Sequence, residues 1–174
     1  LCVAHNGTIA NVQELSNMVG GCSFTPQNAS DTLVAAQRLV SLISEKGKIG
    51  PALSILKNEM IGSYCFTFLS DDHSVYAARD PKGFRPMVLG HKEDSNTYIV
   101  ASESSALSAI GARLERDVKP GELIKLSKDG IENEMFSNDN KRAHCSFEFT
   151  YFAHPSSNME GANIYVARKR IGKF

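Results

Sequence analysis

The sequence predicts an α+β domain in which helices are layered on antiparallel sheets. In the first sixty residues, apolar side chains recur at the spacing of amphipathic helices. From Ser63 onwards the period changes to two, and short turns rich in Asp, Gly and Pro separate the alternating segments. Helices followed by a run of hairpins therefore favour this fold class.

Five helices are predicted from apolar spacing and end signals. Ser30 is a good N-cap, and Asp31 beside it suits the positive end of a helix dipole. Pro51 falls in the first turn of the third helix, where its missing N–H costs little. The predicted ranges are Val12–Val19, closed by Gly20 and Gly21, then Ser30–Gly47, Pro51–Met60, Ser104–Ile110 and a basic helix from Asn163.

The alternating segments predict two hairpins and a three-stranded meander. The hairpins join 63–70 to 73–80 and 86–93 to 96–103, and the meander comprises 113–118, 123–127 and 131–136. Near the start of the chain, Asn6-Gly7 predicts a tight turn, because both residues tolerate positive φ. The aromatic run 145–157, broken by Pro155, is predicted to be extended.

Composition excludes several classes of function. The chain has 174 residues, of which 42% are hydrophobic, so it can bury a core. Lys plus Arg and Asp plus Glu number 19 each, so the basic excess typical of nucleic-acid or anionic-membrane binding is missing. The apolar runs are too short to span a membrane. Four irregularly spaced cysteines predict free thiols in a reducing cytoplasm.

The first residues of the chain contain the candidates for acyl-transfer chemistry. The Asn6 amide and the Gly7 N–H can donate to an oxyanion, although Asn-Gly is equally the signature of an ordinary turn. A nucleophile acts within about 3 Å of the same reacting atom. Four strand residues separate Cys2 from Asn6 by about 13 Å. We therefore expect Cys2 to be a small buried apolar residue, not a nucleophile. Asp31 can bind an ammonium group or simply complement its helix dipole.

Two other groups of residues favour structural interpretations. His144, Cys145 and His154 match no standard pattern of metal ligands, so we expect no metal site among them. Asp80 and Arg85 lie in the segment DPKGFRP. We expect these two side chains to pair with each other and to hold their loop.

Several segments together resemble the amidophosphoribosyltransferase family, a branch of the class II glutamine amidotransferases. They occur in the family's order and span essentially the whole chain: AHNGTIAN, SDT, ARDPKGFRP, VASE, VKPGE, CSFEFTYFAHPSSN and YVARKRIGK. The resemblance implies an N-terminal-nucleophile (Ntn) hydrolase-type αββα sandwich at residues 1–144, a glutaminase domain incomplete at its N-terminus. It also implies that residues 145–174 are a linker and the start of a phosphoribosyltransferase domain.

The resemblance assigns roles to individual residues. It implies that Asn6 and Gly7 form the oxyanion hole of the glutaminase. It implies that Asp31 holds the α-ammonium group of glutamine. Gly83 and Arg85 fall in a loop that shapes the glutaminase fold in this family.

The family's reaction uses glutamine-derived ammonia to convert phosphoribosylpyrophosphate to 5-phosphoribosylamine, the first step of de novo purine biosynthesis. The family's nucleophilic N-terminal Cys, and an Arg that binds the glutamine carboxylate, are absent from this sequence, so we expect the chain alone to be inactive. We expect no cofactor in this chain. The resemblance implies Mg²⁺ for the parent protein and, in some members, a [4Fe–4S] cluster, for which Cys145 is the only candidate ligand here. It also implies a cytoplasmic homo-oligomer that binds glutamine and phosphoribosylpyrophosphate.

Two alternatives stay open. The first is another class II glutamine amidotransferase, such as a sugar-phosphate or asparagine-forming enzyme. The second is a non-catalytic scaffold or interaction domain derived from such an enzyme. A phosphoribosyltransferase motif beyond Phe174 would support the amidophosphoribosyltransferase family, whereas an isomerase or ATP-binding domain would support another class II amidotransferase.

Overall fold

The computed structural model describes residues 1–19, 29–139 and 141–173. The strands are β1 (Cys2–Ile9), β2 (Gly62–Leu69), β3 (Val75–Arg79), β4 (Val88–Lys92), β5 (Thr97–Ala101), β6 (Arg113–Asp117), β7 (Glu122–Ser127), β8 (Gly130–Met135), β9 (Asn158–Met159) and β10 (Ala162–Asn163). The helices are α1 (Val12–Met18), α2 (Asp31–Lys46), α3 (Ile49–Glu59), α4 (Ser104–Ala109) and α5 (Ile164–Ile171). Within these ranges, no helix has the length and apolar character needed to cross a membrane.

The strands form two main antiparallel sheets. The large sheet has the order β1-β2-β3-β7-β8, and the small sheet has the order β5-β4-β6. Both predicted hairpins are confirmed, as β2 with β3 and β4 with β5. The predicted meander is wrong in one strand, because β6 pairs with β4 in the small sheet and only β7 and β8 form a hairpin. Alternation within β6 identifies a strand but carries no information about its partner.

Three apolar clusters stack the helices and sheets into four layers. The first joins α1, α2 and α3 to one face of the large sheet, the second fills the space between the sheets, and the third joins α4 to the outer face of the small sheet. Their central residues are Leu15, Leu39, Leu53 and Phe66, then Ala77, Leu89 and Ile124, and finally Val88 and Leu107. The order helix, sheet, sheet, helix confirms the αββα sandwich that the resemblance implies.

The predicted helices are confirmed: the ends of the first four differ by at most two residues, and the basic helix predicted from Asn163 spans Ile164–Ile171. The Ser30 hydroxyl oxygen accepts the N–H of Leu33 at 3.2 Å, so Ser30 caps α2 as predicted. Gly47 ends α2 with a φ of 72°, a conformation that glycine adopts without steric cost. The predicted stop of α1 at Gly20 and Gly21 lies outside the described residues.

The turn predicted at Asn6-Gly7 is wrong, because both residues lie inside β1. They stand opposite Cys65 and Tyr64 of the antiparallel β2. Gly7 has a φ of 156°, and a Cβ at this position would collide with the Ser63 carbonyl oxygen. The glycine is needed here for close approach of the two backbones rather than for a change of chain direction.

Arg79, the last residue of β3, organises the loop that follows. Its side chain is 1% exposed. The guanidinium donates to the carbonyl oxygens of Gly83 at 3.0 Å, Arg85 at 2.8 Å and Val118 at 2.7 Å. It also lies 2.7 Å from the Glu160 carboxylate. One buried cation therefore satisfies three backbone carbonyls and fixes the shape of the loop.

The predicted pair of Asp80 with Arg85 is wrong. The Asp80 carboxylate accepts the backbone N–H groups of Lys82 and Phe84 at 2.9 and 3.0 Å. Arg85 instead pairs with Glu148 at 2.6 Å, from a part of the chain that is distant in sequence. The loop is held by its own backbone and by Arg79, which leaves Arg85 free to bind another segment.

The C-terminal segment (residues 141–173) folds back on the sandwich. The aromatic run that was predicted to be extended contains a turn of π-helix. Arg168 of α5 donates to the carbonyl oxygens of Phe149 and Ala153 at 2.9 and 2.7 Å, which joins α5 to this turn. The Glu103 carboxylate, just before α4, accepts two hydrogen bonds from the same segment.

Replacing Arg79 with methionine is expected to lower the free energy of unfolding by about 3–5 kcal/mol, because the buried carbonyls and the Glu160 carboxylate lose their cation. Urea unfolding followed by circular dichroism measures the change. Arg113→Met is the matched control, since Arg113 is 66% exposed and contacts only Glu93 and Glu115 among the ion pairs of the described residues. Its expected cost is below about 1 kcal/mol. Equal losses in the two variants would contradict this role for Arg79.

Glu122, the first residue of β7, is a fully buried acid. Its carboxylate accepts two hydrogen bonds from Arg116, at 2.7 and 2.8 Å, and one from the Lys119 N–H at 2.8 Å. Burial raises the pKa of Glu122, but the hydrogen bonds from Arg116 and Lys119 outweigh it and hold the pKa below its ordinary value of 4.5. The ionised form of Glu122 therefore stabilises the fold.

The stabilisation by Glu122 is expected to be lost in acid. Because the pKa of Glu122 is lower in the folded state, its contribution to the free energy of unfolding is fully present above pH 4.5. That contribution falls as the pH drops below this value. Glu122→Gln should therefore show a flatter loss of unfolding free energy than the wild type between about pH 5 and pH 3. Urea unfolding at a series of pH values measures this. Asp80 and Asp117, whose pKa values burial raises, titrate in both proteins and cancel in the difference. Parallel curves of unfolding free energy against pH for the wild type and Glu122→Gln would contradict this role of Glu122.

Candidate active site

Strand β1 presents two different faces. Val3 and Ile9 pack into the cluster beneath the helices, so odd-numbered positions face the helices. Asn6 stands opposite Cys65, whose side chain belongs to the cluster between the sheets. Residues directly opposite each other share a face, so the Asn6 amide projects on the side of the small sheet. The even-numbered residues of β1 are exposed: Cys2, Ala4, Asn6 and Thr8.

The outer edge of β1 carries backbone N–H groups that β2 does not use. β1 is the edge strand of the large sheet. Tyr64, opposite Gly7, accepts the Asp80 N–H at 2.8 Å on its other side, so the Gly7 N–H points away from β2. The Ile9 N–H has the same direction and donates to Asp31 Oδ2 at 3.1 Å. Two residues of strand separate these N–H groups by about 7 Å.

Helix α2 brings Asp31 to this edge. Asp31 is the first residue of α2, directly after the Ser30 cap. While Oδ2 accepts the Ile9 N–H, Oδ1 accepts the N–H of Thr32 at 2.7 Å. The Asp31 side chain is still 27% exposed, so the carboxylate can accept a further donor from solution. The structure thus brings Gly7 and Asp31 together at one edge.

His5 belongs to the site, and sequence reasoning missed it. Its side chain is 2% exposed. Nδ1 lies 3.0 Å from the Thr32 hydroxyl and Nε2 lies 3.4 Å from the Ser63 carbonyl oxygen, while the ring centroid is 4.8 Å from that of Phe66. A Cβ on Gly7 would lie 2.7 Å from His5 Nε2, so the imidazole occupies the space that the glycine leaves. The sequence predicted a turn at Asn6-Gly7, so it did not predict which face of a strand the His5 side chain occupies. It therefore gave no indication of these contacts.

The arrangement combines hydrogen-bond donors with a carboxylate. The Asn6 amide and the Gly7 N–H can stabilise a negative charge that develops on a carbonyl oxygen. Asp31 can hold a cation at the next outward position of the strand. A molecule with a reactive carbonyl at one end and an ammonium group at the other matches this pattern.

The cysteines of the described residues do not complete this site. The prediction that Cys2 is buried is wrong, because it lies exposed on the same face as Asn6. The extended strand keeps the two residues about 13 Å apart. Cys65 is buried, and burial raises the pKa of its thiol to about 12, which suppresses the reactive thiolate. Cys22 lies outside the described residues.

His144 and His154 of the C-terminal segment contact different groups. His144 Nε2 is 3.8 Å from the Glu160 carboxylate, and His154 Nδ1 is 2.8 Å from the Ser156 hydroxyl. Over the described ranges, no group of three His, Cys, Asp or Glu side chains is placed to hold a metal ion. An iron–sulfur cluster takes four thiolates, whereas this region supplies the buried Cys145. The described residues of this region therefore supply one of the four ligands that a cluster takes.

Known proteins resemble this chain over its whole length. A family model described as a glutamine amidotransferase domain matches residues 1–109. The amidophosphoribosyltransferase of Archaeoglobus fulgidus is 38% identical over 173 residues, which are 99% of this chain and 37% of the relative. That of Bacillus subtilis is 36% identical over 176 residues, covering 100% of this chain and 36% of the relative. The chain thus spans little more than a third of the length of these relatives.

Solved structures agree with the layered fold. The glutamine phosphoribosylpyrophosphate amidotransferase of Bacillus subtilis, complexed with ADP and GMP, matches with a TM-score of 0.85 at 34% identity, over 98% of this chain and 36% of that chain. A glutamine aminotransferase class-II domain protein from Silicibacter pomeroyi shares the fold, with a TM-score of 0.51 and 18% identity over 78% of this chain and 67% of that chain. The first of these matches confirms the Ntn hydrolase-type sandwich. The chain belongs to the family of glutamine amidotransferase domains.

Proposed function

We propose that this chain is the glutamine-binding part of an amidophosphoribosyltransferase. The observation that carries the proposal is the open edge of β1, where the Gly7 N–H and the Asp31 carboxylate face outward. Glutamine offers groups of matching polarity, since a short carbon chain joins its side-chain carbonyl to its α-ammonium group. The similarity to amidophosphoribosyltransferases also extends beyond residue 109, where the family model ends, to 99% of the chain.

In this proposal, Asn6 and Gly7 stabilise the oxyanion that forms when a thiolate attacks the side-chain carbonyl of glutamine. Preorganised donors in such a site lower the barrier because they are already aimed at the developing charge. Collapse of the oxyanion releases ammonia and leaves a thioester, which water hydrolyses to glutamate. None of the thiols in the described residues supplies this nucleophile, because Cys2 lies about 13 Å along the strand from Asn6 and Cys65 and Cys145 are buried.

Asp31 binds the α-ammonium group of glutamine in this scheme. Its two oxygens are already oriented by the N–H groups of Ile9 and Thr32, so the carboxylate needs no rearrangement to accept a cation. Complementing the helix dipole does not compete with this role, since both use the same ionised carboxylate. The ammonia then displaces pyrophosphate from phosphoribosylpyrophosphate at a second site, which yields 5-phosphoribosylamine.

Another class II amidotransferase would use the same edge of β1. The alignment of 99% of this chain, including the C-terminal segment, with amidophosphoribosyltransferases favours the phosphoribosyl acceptor. The test is whether the full-length protein forms 5-phosphoribosylamine from glutamine and phosphoribosylpyrophosphate. Glutamine turnover that transfers no ammonia to this acceptor would contradict the proposal.

Asn6→Ala in the full-length protein is expected to lower kcat for glutamate formation about 10²–10³-fold, because one oxyanion donor is lost. Formation of 5-phosphoribosylamine from added ammonium chloride should be unaffected, since free ammonia bypasses the glutamine site. Cys2→Ala is the matched control on the same face of β1, and its kcat should stay within about twofold of the wild type. A full loss in Cys2→Ala, or none in Asn6→Ala, would reverse the assignment.

Residues 1–174 alone are expected to form no glutamate from glutamine. The chain contributes oxyanion donors and an ammonium site, but no thiol of the described residues lies beside them. The measurement is a coupled glutamate assay on the purified chain, with circular dichroism to verify folding. Sustained turnover that Cys2→Ala abolishes would show that this chain supplies its own nucleophile.

A further inference from the structure

We propose that the Thr32 hydroxyl is a positioning group that couples the oxyanion strand β1 to the carboxylate of Asp31. The inference rests on the proposed function, because it assigns a purpose to the geometry of the glutamine site. It concerns a residue to which the proposed scheme assigns no direct contact with the substrate. Thr32 acts on substrate binding through Asp31.

The contacts of Thr32 define the connection. Its hydroxyl oxygen lies 3.0 Å from His5 Nδ1 and 3.3 Å from Asp31 Oδ1. Its backbone N–H donates to the same Oδ1 at 2.7 Å. With a proton on His5 Nδ1, the hydroxyl accepts from the ring and donates to Asp31 Oδ1, so it joins the imidazole to the carboxylate. The ring nitrogen itself lies farther from the carboxylate, at 3.9 Å from Oδ2.

His5 is a fixed support for this connection. The ring is 2% exposed and packs at 4.8 Å from Phe66, over the space left by Gly7. Its Nε2 lies 3.4 Å from the Ser63 carbonyl oxygen of β2. A group packed on these sides cannot follow a movement of α2, so it holds Thr32 in place.

The hydroxyl is not needed to begin the helix. Ser30 already caps α2 by accepting the Leu33 N–H at 3.2 Å. Thr32 lies two residues later and directs its hydroxyl across to β1. Ser30 therefore serves helix stability, whereas the Thr32 hydroxyl connects the carboxylate of Asp31, already oriented by backbone N–H groups, to His5 of β1.

Each carboxylate oxygen of Asp31 is consequently held by a different element. Oδ2 accepts the Ile9 N–H of β1, and Oδ1 accepts the Thr32 N–H of α2. The Thr32 hydroxyl in turn contacts His5 of β1. Without the hydroxyl, Asp31 keeps its bond to the Ile9 N–H but loses the bridge from Oδ1 to His5, so its carboxylate has more freedom relative to the Gly7 N–H. The distance between the ammonium site and the oxyanion site then varies, which weakens binding of glutamine more than it slows the chemical step.

The experiment measures KM for glutamine and kcat of glutamate formation in the full-length protein. Thr32→Val keeps the shape and removes the hydroxyl, and it is expected to raise KM about tenfold with a smaller change in kcat. Thr32→Ser restores the hydroxyl and should recover most of the affinity. His5→Phe keeps a ring on Phe66, and its effect should not multiply with that of Thr32→Val in the double variant.

Ser30→Ala is the matched control in the same helix turn. It lowers the stability of α2 and should leave KM within about twofold of the wild type. An unchanged KM in Thr32→Val, or equal losses in Thr32→Val and Thr32→Ser, would overturn the inference. So would a parallel loss of ammonium-dependent synthesis, which would indicate a general folding defect. A wild-type protein that does not hydrolyse glutamine would instead overturn the proposed function, and this inference with it.

Discussion

Antiparallel pairing of β1 with β2 is the interaction on which the site depends. The register places Asn6 opposite Cys65 and Gly7 opposite Tyr64. Because side chains alternate along a strand, a slip of one residue would exchange the faces of His5 and Asn6. The amide would then be buried beneath the helices and the imidazole exposed. The pairing also leaves the opposite edge of β1 open, which is where α2 meets it.

The two faces of β1 perform different tasks for the same site. On the helix side, His5 packs tightly and connects the strand to Thr32. On the other side, Asn6 is exposed and free to meet a ligand. Gly7 serves both, since its missing side chain makes room for the His5 ring while its N–H points outward. A buried support beneath an exposed donor is a way to hold a polar group in a fixed geometry without covering it.

Charge joins the C-terminal segment to the sandwich. Arg79 contacts Glu160, and Arg85 pairs with Glu148, so two ion pairs connect the end of β3 and the loop after it with this segment. Removing such charges from water is costly unless each is paired, so the segment lies where both pairs are formed. Glu160 has a φ of 50°, a conformation that is unfavourable for a residue with a side chain. The surrounding contacts hold it there, which is consistent with a defined position for this segment.

The sequence by itself determined the elements that depend on local chemistry. The Ser30 cap, the helical spacing and the β2–β3 and β4–β5 hairpins follow from residues close together in the chain, and the structure contains all of them. The resemblance of several motifs to a known family predicted the sandwich fold and the family. Tertiary structure decided what depends on distant partners: Asn6-Gly7 as strand, β6 in the small sheet, and the pair of Arg85 with Glu148. Local propensity is worth a fraction of a kcal/mol to about 1 kcal/mol per residue, so pairing with β2 overrides it. The support of Asp31 by His5 arises in the same way, because only folding brings β1 and α2 together.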